Sequence, residues 1–180
     1  MNAIRSLQIL GLGLALASTT AIAQVVPLPI RDYSDAPRGV ASHIANKDFC
    51  LGAVVDTETT ALTNATATGD DITNLMDDDG VVFPPMVRGT WVNIAVTMNG
   101  AGGVLDAWID FNYVGGFQPA EQIAVSRALI NGVNIIPVFV PNVPQPGDTY
   151  ARFRLSRTGG LGPIGAAGQG EVEDYMVRLL

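Results

Sequence analysis

From Thr90 onward, apolar and polar residues alternate with period two, the spacing of a strand with one buried face. "TWVNIAVTM" places Val92, Ile94, Val96 and Met98 on one face. "GVLDAWIDF" places Leu105, Ala107, Ile109 and Phe111 on one face, and Asp106, Trp108 and Asp110 on the other. "TYARFRLS" turns Ala151, Phe153 and Leu155 inward and Tyr150, Arg152 and Arg154 to the opposite face, and "EVEDYMVRLL" reads as a last strand. "EQIAVSRALI" and "VNIIPVFV" flank Asn131-Gly132, which predicts a two-residue hairpin. Pro137 in the second segment predicts an edge strand. Apart from the ambiguous "AEQIAVSRALI", no stretch reads as an amphipathic helix of ten or more residues. Short strands with Gly, Pro and Asn turns between them predict an all-β fold, an antiparallel β-sandwich of jelly-roll or Ig-like type with long acidic loops.

The N-terminal half is patterned differently. Residues 1–23 combine Arg5, the apolar run "LQILGLGLALA" and "AIA" before Gln24, which predicts a signal peptide cleaved after Ala23. The expected mature chain, residues 24–180, is a single exported domain, secreted or periplasmic, with no membrane insertion once the signal is removed. "VVPLPIRDYSDAPRGVASHIAN" reads as an extended entry segment. The stretch from Leu51 to Val81 reads as a long loop rich in Thr, Asn and Asp, of a length usually functional or pinned by something.

Residues 24–180 carry nine basic and 17 acidic residues, a formal charge of −8, with Lys47 the single lysine. Nucleic acid is therefore a poor partner, since phosphate binding needs clustered Lys and Arg; cation binding or plain solubility suits the balance. Cys50 is the only cysteine, so no internal disulfide forms, and a buried apolar role is expected for it. His43 is the only histidine, and no motif for a nucleophile or a zinc site accompanies it.

Three polar constellations stand out. "DFNYVGGFQPAE" approaches a twelve-residue calcium loop, with Asp110 at position 1, Asn112 at 3, Gly115 at 6, a Gly116 carbonyl at 7, Gln118 at 9 and Glu121 at 12. Val114 at position 5 has no oxygen to give. The alternative is a Gly-Gly turn with solvated acids. The acidic stretch Asp70, Asp71, Asp77, Asp78 and Asp79 is a second set of hard oxygen ligands or, equally, a solvated loop. "GEVEDY" sets Glu171, Glu173 and Asp174 at the start of a strand. Glu173 falls on the core-side face with Tyr175, Val177 and Leu179, so it needs a partner. Arg152 or Arg154 is the expected one, in an ion pair locking two strands. Trp91 and Trp108 are the aromatics that could stack on a sugar, although Trp108 could equally pack on the second face of its sheet.

Taken in order, "DYSDAP" (32–37), "SHI" (42–44), "LGAVVDTE" (51–58), "TGDD" (68–71), "DDDGV" (77–81), "AWIDFN" (107–112), "YARFRLS" (150–156) and "GEVEDY" (170–175) resemble the GEVED domain family. The resemblance implies a secreted or surface-associated bacterial β-sandwich module of the kind found in adhesin-like proteins. It also implies a calcium loop at "DFN" and an acidic turn at "DDDGV". Here Val114 stands where the family carries an acid, and Asp78 where it often has Glu. The expected function is a non-catalytic binding or structural module of the cell envelope or extracellular matrix, calcium-stabilised, binding a surface polysaccharide or protein. The alternative is an extracellular, glycosidase-like hydrolase using carboxylates of the acidic loops. A subunit whose exposed strand edge pairs with another chain is a third.

Overall fold

In the computed structural model, residues 28–69, 77–143 and 145–180 are described. The expected signal peptide, together with Asp70 and Asp71, lies outside them. Ten strands form: β1 (Arg31–Tyr33), β2 (Ala41–Ile44), β3 (Cys50–Leu51), β4 (Val81–Val82), β5 (Trp91–Asn99), β6 (Gly103–Ile109), β7 (Gln122–Leu129), β8 (Gly132–Phe139), β9 (Gly147–Ser156) and β10 (Gly165–Leu179). A 3-10 turn, Pro119–Glu121, precedes β7, so the ambiguous "AEQIAVSRALI" is a strand with a short helical lead-in.

Two sheets make a sandwich. The larger has the order β1-β2-β10-β9-β6-β7. In the smaller, β5 pairs along one edge with β8 and along the other with the short β3 and β4. The strands pair antiparallel except that the first part of β10 runs parallel to β2 before its second part pairs with β9, and an isolated parallel bridge joins Met86 to Leu179. The core between the sheets is what the period-two reading expects. Ile94, Val96 and Met98 of β5 face Leu105, Ala107 and Ile109 of β6, Phe153 and Leu155 of β9, and Val177 and Leu179 of β10. Burying each Leu, Ile or Phe side chain contributes about 1.5–3 kcal/mol.

The expected hairpin at Asn131-Gly132 does not form. β7 pairs with β6 and β8 with β5, so the Asn-Gly turn carries the chain from the edge of one sheet to the edge of the other. A turn signal specifies a reversal of direction and is blind to which sheet receives the next strand. Pro137 does lie on an edge strand, opposite Asn93. The entry segment is more ordered than its sequence suggests. It forms the β1–β2 hairpin on the edge of the larger sheet, while β3 crosses to the smaller one.

Candidate functional site

The "GEVEDY" stretch is where the two sheets are tied together. Because β10 alternates, Glu171, Glu173 and Tyr175 point between the sheets, whereas Val172 and Asp174 point to the outer face. The inward carboxylates accept backbone amides from the smaller sheet. Glu171 Oε2 takes the N–H of Leu51 in β3, and Glu173 Oε1 takes the N–H of Gly80, just before β4, at 2.8 Å. Tyr175 adds a third link, its hydroxyl accepting the Val81 N–H at 3.0 Å and donating to Glu173 Oε2 at 3.1 Å. Phe83, Phe153 and Tyr175 pack edge-to-face beside this joint, with ring centroids 5.4–6.1 Å apart. The hydrogen bonds satisfy strand ends that a two-residue β3 and β4 leave unpaired.

Glu173 therefore does not pair with Arg152 or Arg154, and neither does Glu171. In the β9–β10 register, Glu173 lies opposite Phe153 while Asp174 lies opposite Arg152. Directly opposed residues share a face, so the arginines can reach only Asp174. The buried ion pair is Arg152–Asp174, with Arg152 Nε 2.7 Å from Oδ1 and Nη2 2.8 Å from Oδ2. Asp174 Oδ2 also accepts the amides of Asp35 and Ala36, which holds the "DYSDAP" segment down on the sheet.

Burial, opposed by the Gly80 and Tyr175 hydrogen bonds, pushes Glu173 up to about 8. Burial, with Glu173 and Asp32 adding repulsion, puts Glu171 well above the usual carboxylate range. Asp78 rises in the same way, through burial and the nearby charges of Asp35, Glu173, Asp174 and Asp77. The Asp78 side chain is bonded to the Asp174 amide at 3.0 Å.

On the outer face of the larger sheet, Arg154 donates to His43 Nε2 at 3.1 Å and to the carbonyls of Gly162, Ile164 and Gly165. Arg152 donates to the carbonyls of Gly39 and Pro163. Asp106 accepts the amides of Ser126 and Leu161. These bonds pin the loops that cover the sheet, and Trp108 is buried among them at 2 % exposure. Burial, then the charge of Arg154, lowers His43 to about 3, so it stands neutral and accepts. Cys50 is fully buried, as expected of a small apolar residue, and burial raises its thiol pKa.

The Asp110–Glu121 loop is closed by its own hydrogen bonds. Glu121 accepts the Asn112 amide at 3.2 Å and the Gln118 amide at 2.9 Å, one on each oxygen. Asn112 Oδ1 accepts the Val114 amide at 3.0 Å. Asp110 is fully buried, with Arg38 Nε 2.8 Å from Oδ2 and a second oxygen, Oδ1, that has no hydrogen-bond donor. That orphan oxygen is the one feature resembling a ligand. The rest of the donor set does not fit calcium as arranged, since a guanidinium occupies the position-1 carboxylate and the position-12 carboxylate serves two amides. Gly116 and Gln118 lie on the same loop, with the Gln118 side chain exposed. In the acidic turn, Asp77 Oδ2 accepts the Asp56 amide at 3.2 Å and Asp79 Oδ1 the Ala53 amide at 2.9 Å. Among the described residues, no three His, Cys, Asp or Glu side chains are placed to hold a metal ion.

The buried polar groups thus serve as fasteners, and the open chemistry lies elsewhere. Trp91, at the start of β5, is 72 % exposed. Its ring lies 5.6 Å from that of Phe139, its cross-strand partner on β8. Phe139 was not singled out in the sequence. Its cross-strand position opposite Trp91 becomes visible only once β8 is known to pair with β5.

These features define an all-β, two-sheet module whose signature motif is a buried inter-sheet clamp. The GEVED domain model matches residues 104–178, which run from within β6 to the next-to-last residue of β10. The motifs of the entry segment and the acidic turn precede that span and pack onto it. No curated protein and no solved structure matches the chain.

Proposed function

We propose that this protein is a non-catalytic binding module of the cell envelope or extracellular matrix, and that it works by presenting one face of its sandwich to a surface polysaccharide. The observation that carries the reading is Trp91. A tryptophan 72 % exposed on a regular strand forgoes much of the stabilisation its burial would bring, and an exposed aromatic backed by a rigid sheet is a ready contact surface. Of the acidic-loop carboxylates that a hydrolase would use, Asp77, Asp78 and Asp79 each accept a backbone amide. His43 and Cys50 are buried. Export to the periplasm or medium is part of the proposal and rests on the signal-like first 23 residues.

The test is binding of the purified protein to isolated cell-surface material and to a broad glycan array, with Trp91→Ala alongside. The reading expects retention by surface glycan that Trp91→Ala weakens. Turnover of a glycoside substrate lost in Glu173→Gln, with no retention by the wild type, would support the hydrolase alternative instead.

A further inference from the structure

The outer face of β5 and β8 is the most uniform surface of the molecule. Facing outward are Trp91 and Asn93 of β5 and, across from them, Phe139, Pro137, Ile135 and Val133 of β8. Val133 is 62 % exposed and Ile135 50 %. β5 and β8 themselves put no ionisable side chain on this face, although residues 24–180 carry a formal charge of −8; Arg127 of β7 borders it, sharing a depression with Pro137. From Val133 to Phe139 the apolar row runs about 20 Å at the usual rise of a strand. At its aromatic end, a depression of about 340 Å³ opens between Trp91, Phe139, Pro141 and Gln122.

We infer that this face is the ligand site and that its ligand is an electrically neutral polysaccharide lying along β8. This deepens the reading under Proposed function and rests on it. An uncharged face offers nothing to a uronate, sulfate or phosphate group, and the acidic remainder of the molecule repels them. The apolar C–H face of a neutral pyranose meets the opposite requirement, stacking on Trp91 and Phe139 while the Asn93 side chain offers an amide group to its hydroxyls. A second copy of the chain is disfavoured because each copy carries the same negative charge. An added peptide strand is disfavoured by Pro137. The Val140 amide bonds Thr90 O at 2.9 Å, so even-numbered positions of β8 face β5 and the proline nitrogen faces the free edge. An incoming strand finds no donor there.

The experiment is co-sedimentation of the purified protein with insoluble neutral polysaccharides (cellulose and a β-1,3-glucan) and affinity electrophoresis in soluble xylan. An acidic polysaccharide, polygalacturonate, is run in parallel. The expected result is retention by at least one neutral polysaccharide, unchanged from 50 mM to 500 mM salt, and at least tenfold weaker in both Trp91→Ala and Phe139→Ala. Met176→Ser, an exposed apolar position on β10 in the other sheet, should bind as wild type and controls for general surface stickiness. All three substitutions are at exposed positions, and an unchanged melting temperature confirms that they fold. No retention by any neutral polysaccharide overturns the inference, as does preference for polygalacturonate or wild-type binding by Trp91→Ala. Retention by acidic surface glycan that Trp91→Ala weakens would overturn the neutral ligand while leaving the module reading intact. Self-association abolished by Trp91→Ala, without glycan retention, would assign the face to a second copy.

Discussion

Glu173 Oε1 accepts the amide of Gly80 at 2.8 Å, and the two residues belong to opposite layers of the sandwich. Gly80 leads into β4 of the smaller sheet and Glu173 sits in β10 of the larger. A carboxylate on the inner face of a strand would ordinarily be a fault in a core. Here it replaces the ladder partner that a two-residue strand cannot supply, and Glu171 does the same for Leu51. The glutamates of "GEVEDY" are thus fasteners of this sandwich.

Such a fastener leaves no room at its glycines. A Cβ on Gly80 would meet Gly52 N at 2.6 Å, Leu51 Cβ at 2.7 Å and Glu173 Oε1 at 2.9 Å. At Gly170, where φ is +152°, a Cβ would stand 1.9 Å from the Leu155 carbonyl oxygen. Gly80→Ala and Gly170→Ala should each cost at least about 2 kcal/mol, since backbone must move in both cases. Urea unfolding measures this, and a loss under about 0.5 kcal/mol at either site would contradict the packing described.

Asp174 anchors the outer face as Glu173 anchors the inner. Removing it leaves Arg152 buried without its carboxylate and the amides of Asp35 and Ala36 without an acceptor. Asp174→Ala should destabilise by about 3–5 kcal/mol, the range for breaking one side of a buried pair. Arg178→Ala is the comparison. Its exposed pair with Asp148 should be worth less than about 1 kcal/mol.

The loop at Asp110 makes a third test. Arg38 already neutralises Asp110, and Glu121 already closes the turn, so the loop needs no ion to hold its shape. The melting temperature in EDTA should match that in 2 mM calcium to within about 1 °C. A site filled at tenfold excess would instead add about 1.4 kcal/mol, or roughly 3–6 °C. A calcium-specific rise abolished by Asp110→Asn would show that Arg38 gives way to the cation and would restore the calcium loop that the sequence resembles.

The parts of the fold legible in the sequence were those whose strands build their own apolar face. Ile94, Leu105, Phe153 and Val177 announce β5, β6, β9 and β10 by alternation alone. β1, β2 and β3 were not legible because their attachment depends on distant side chains. The Asp32 carboxylate accepts the Val172 amide at 2.6 Å and Glu171 the Leu51 amide, contacts across more than 100 residues. The partner of Glu173 was misread for want of register. Placing Glu173 opposite Phe153 removes both arginines from its face, and alternation within one strand cannot supply that. Trp91 was legible as a candidate, whereas the uncharged platform around it depends on β8 leaving its sequence neighbour β7 to pair with β5.

The clamp is tested most directly by thermal unfolding of the wild type and of Glu173→Gln from pH 4 to pH 9. Burial raises Glu173 from the ordinary 4.5 to about 8 in the folded protein, so the folded state holds the extra proton between those values. Its contribution is fully present below pH 4.5 and is lost as pH rises through about 8, at up to about 1.4 kcal/mol per pH unit. His43 acts in the opposite sense. Lowered from 6.5 to about 3, it stabilises fully above pH 6.5 and loses that contribution as pH falls towards 3. Glu171 and Asp78, raised in the same way, add to the Glu173 slope and oppose that of His43, so wild-type stability should be greatest on the acid side of pH 6.5 and fall on the alkaline side. Glu173→Gln, which keeps an amide oxygen for Gly80 but cannot ionise, should lose much of the alkaline fall. Equal alkaline destabilisation of both proteins, or a wild type most stable near pH 9, would contradict a protonated carboxyl holding the sheets together.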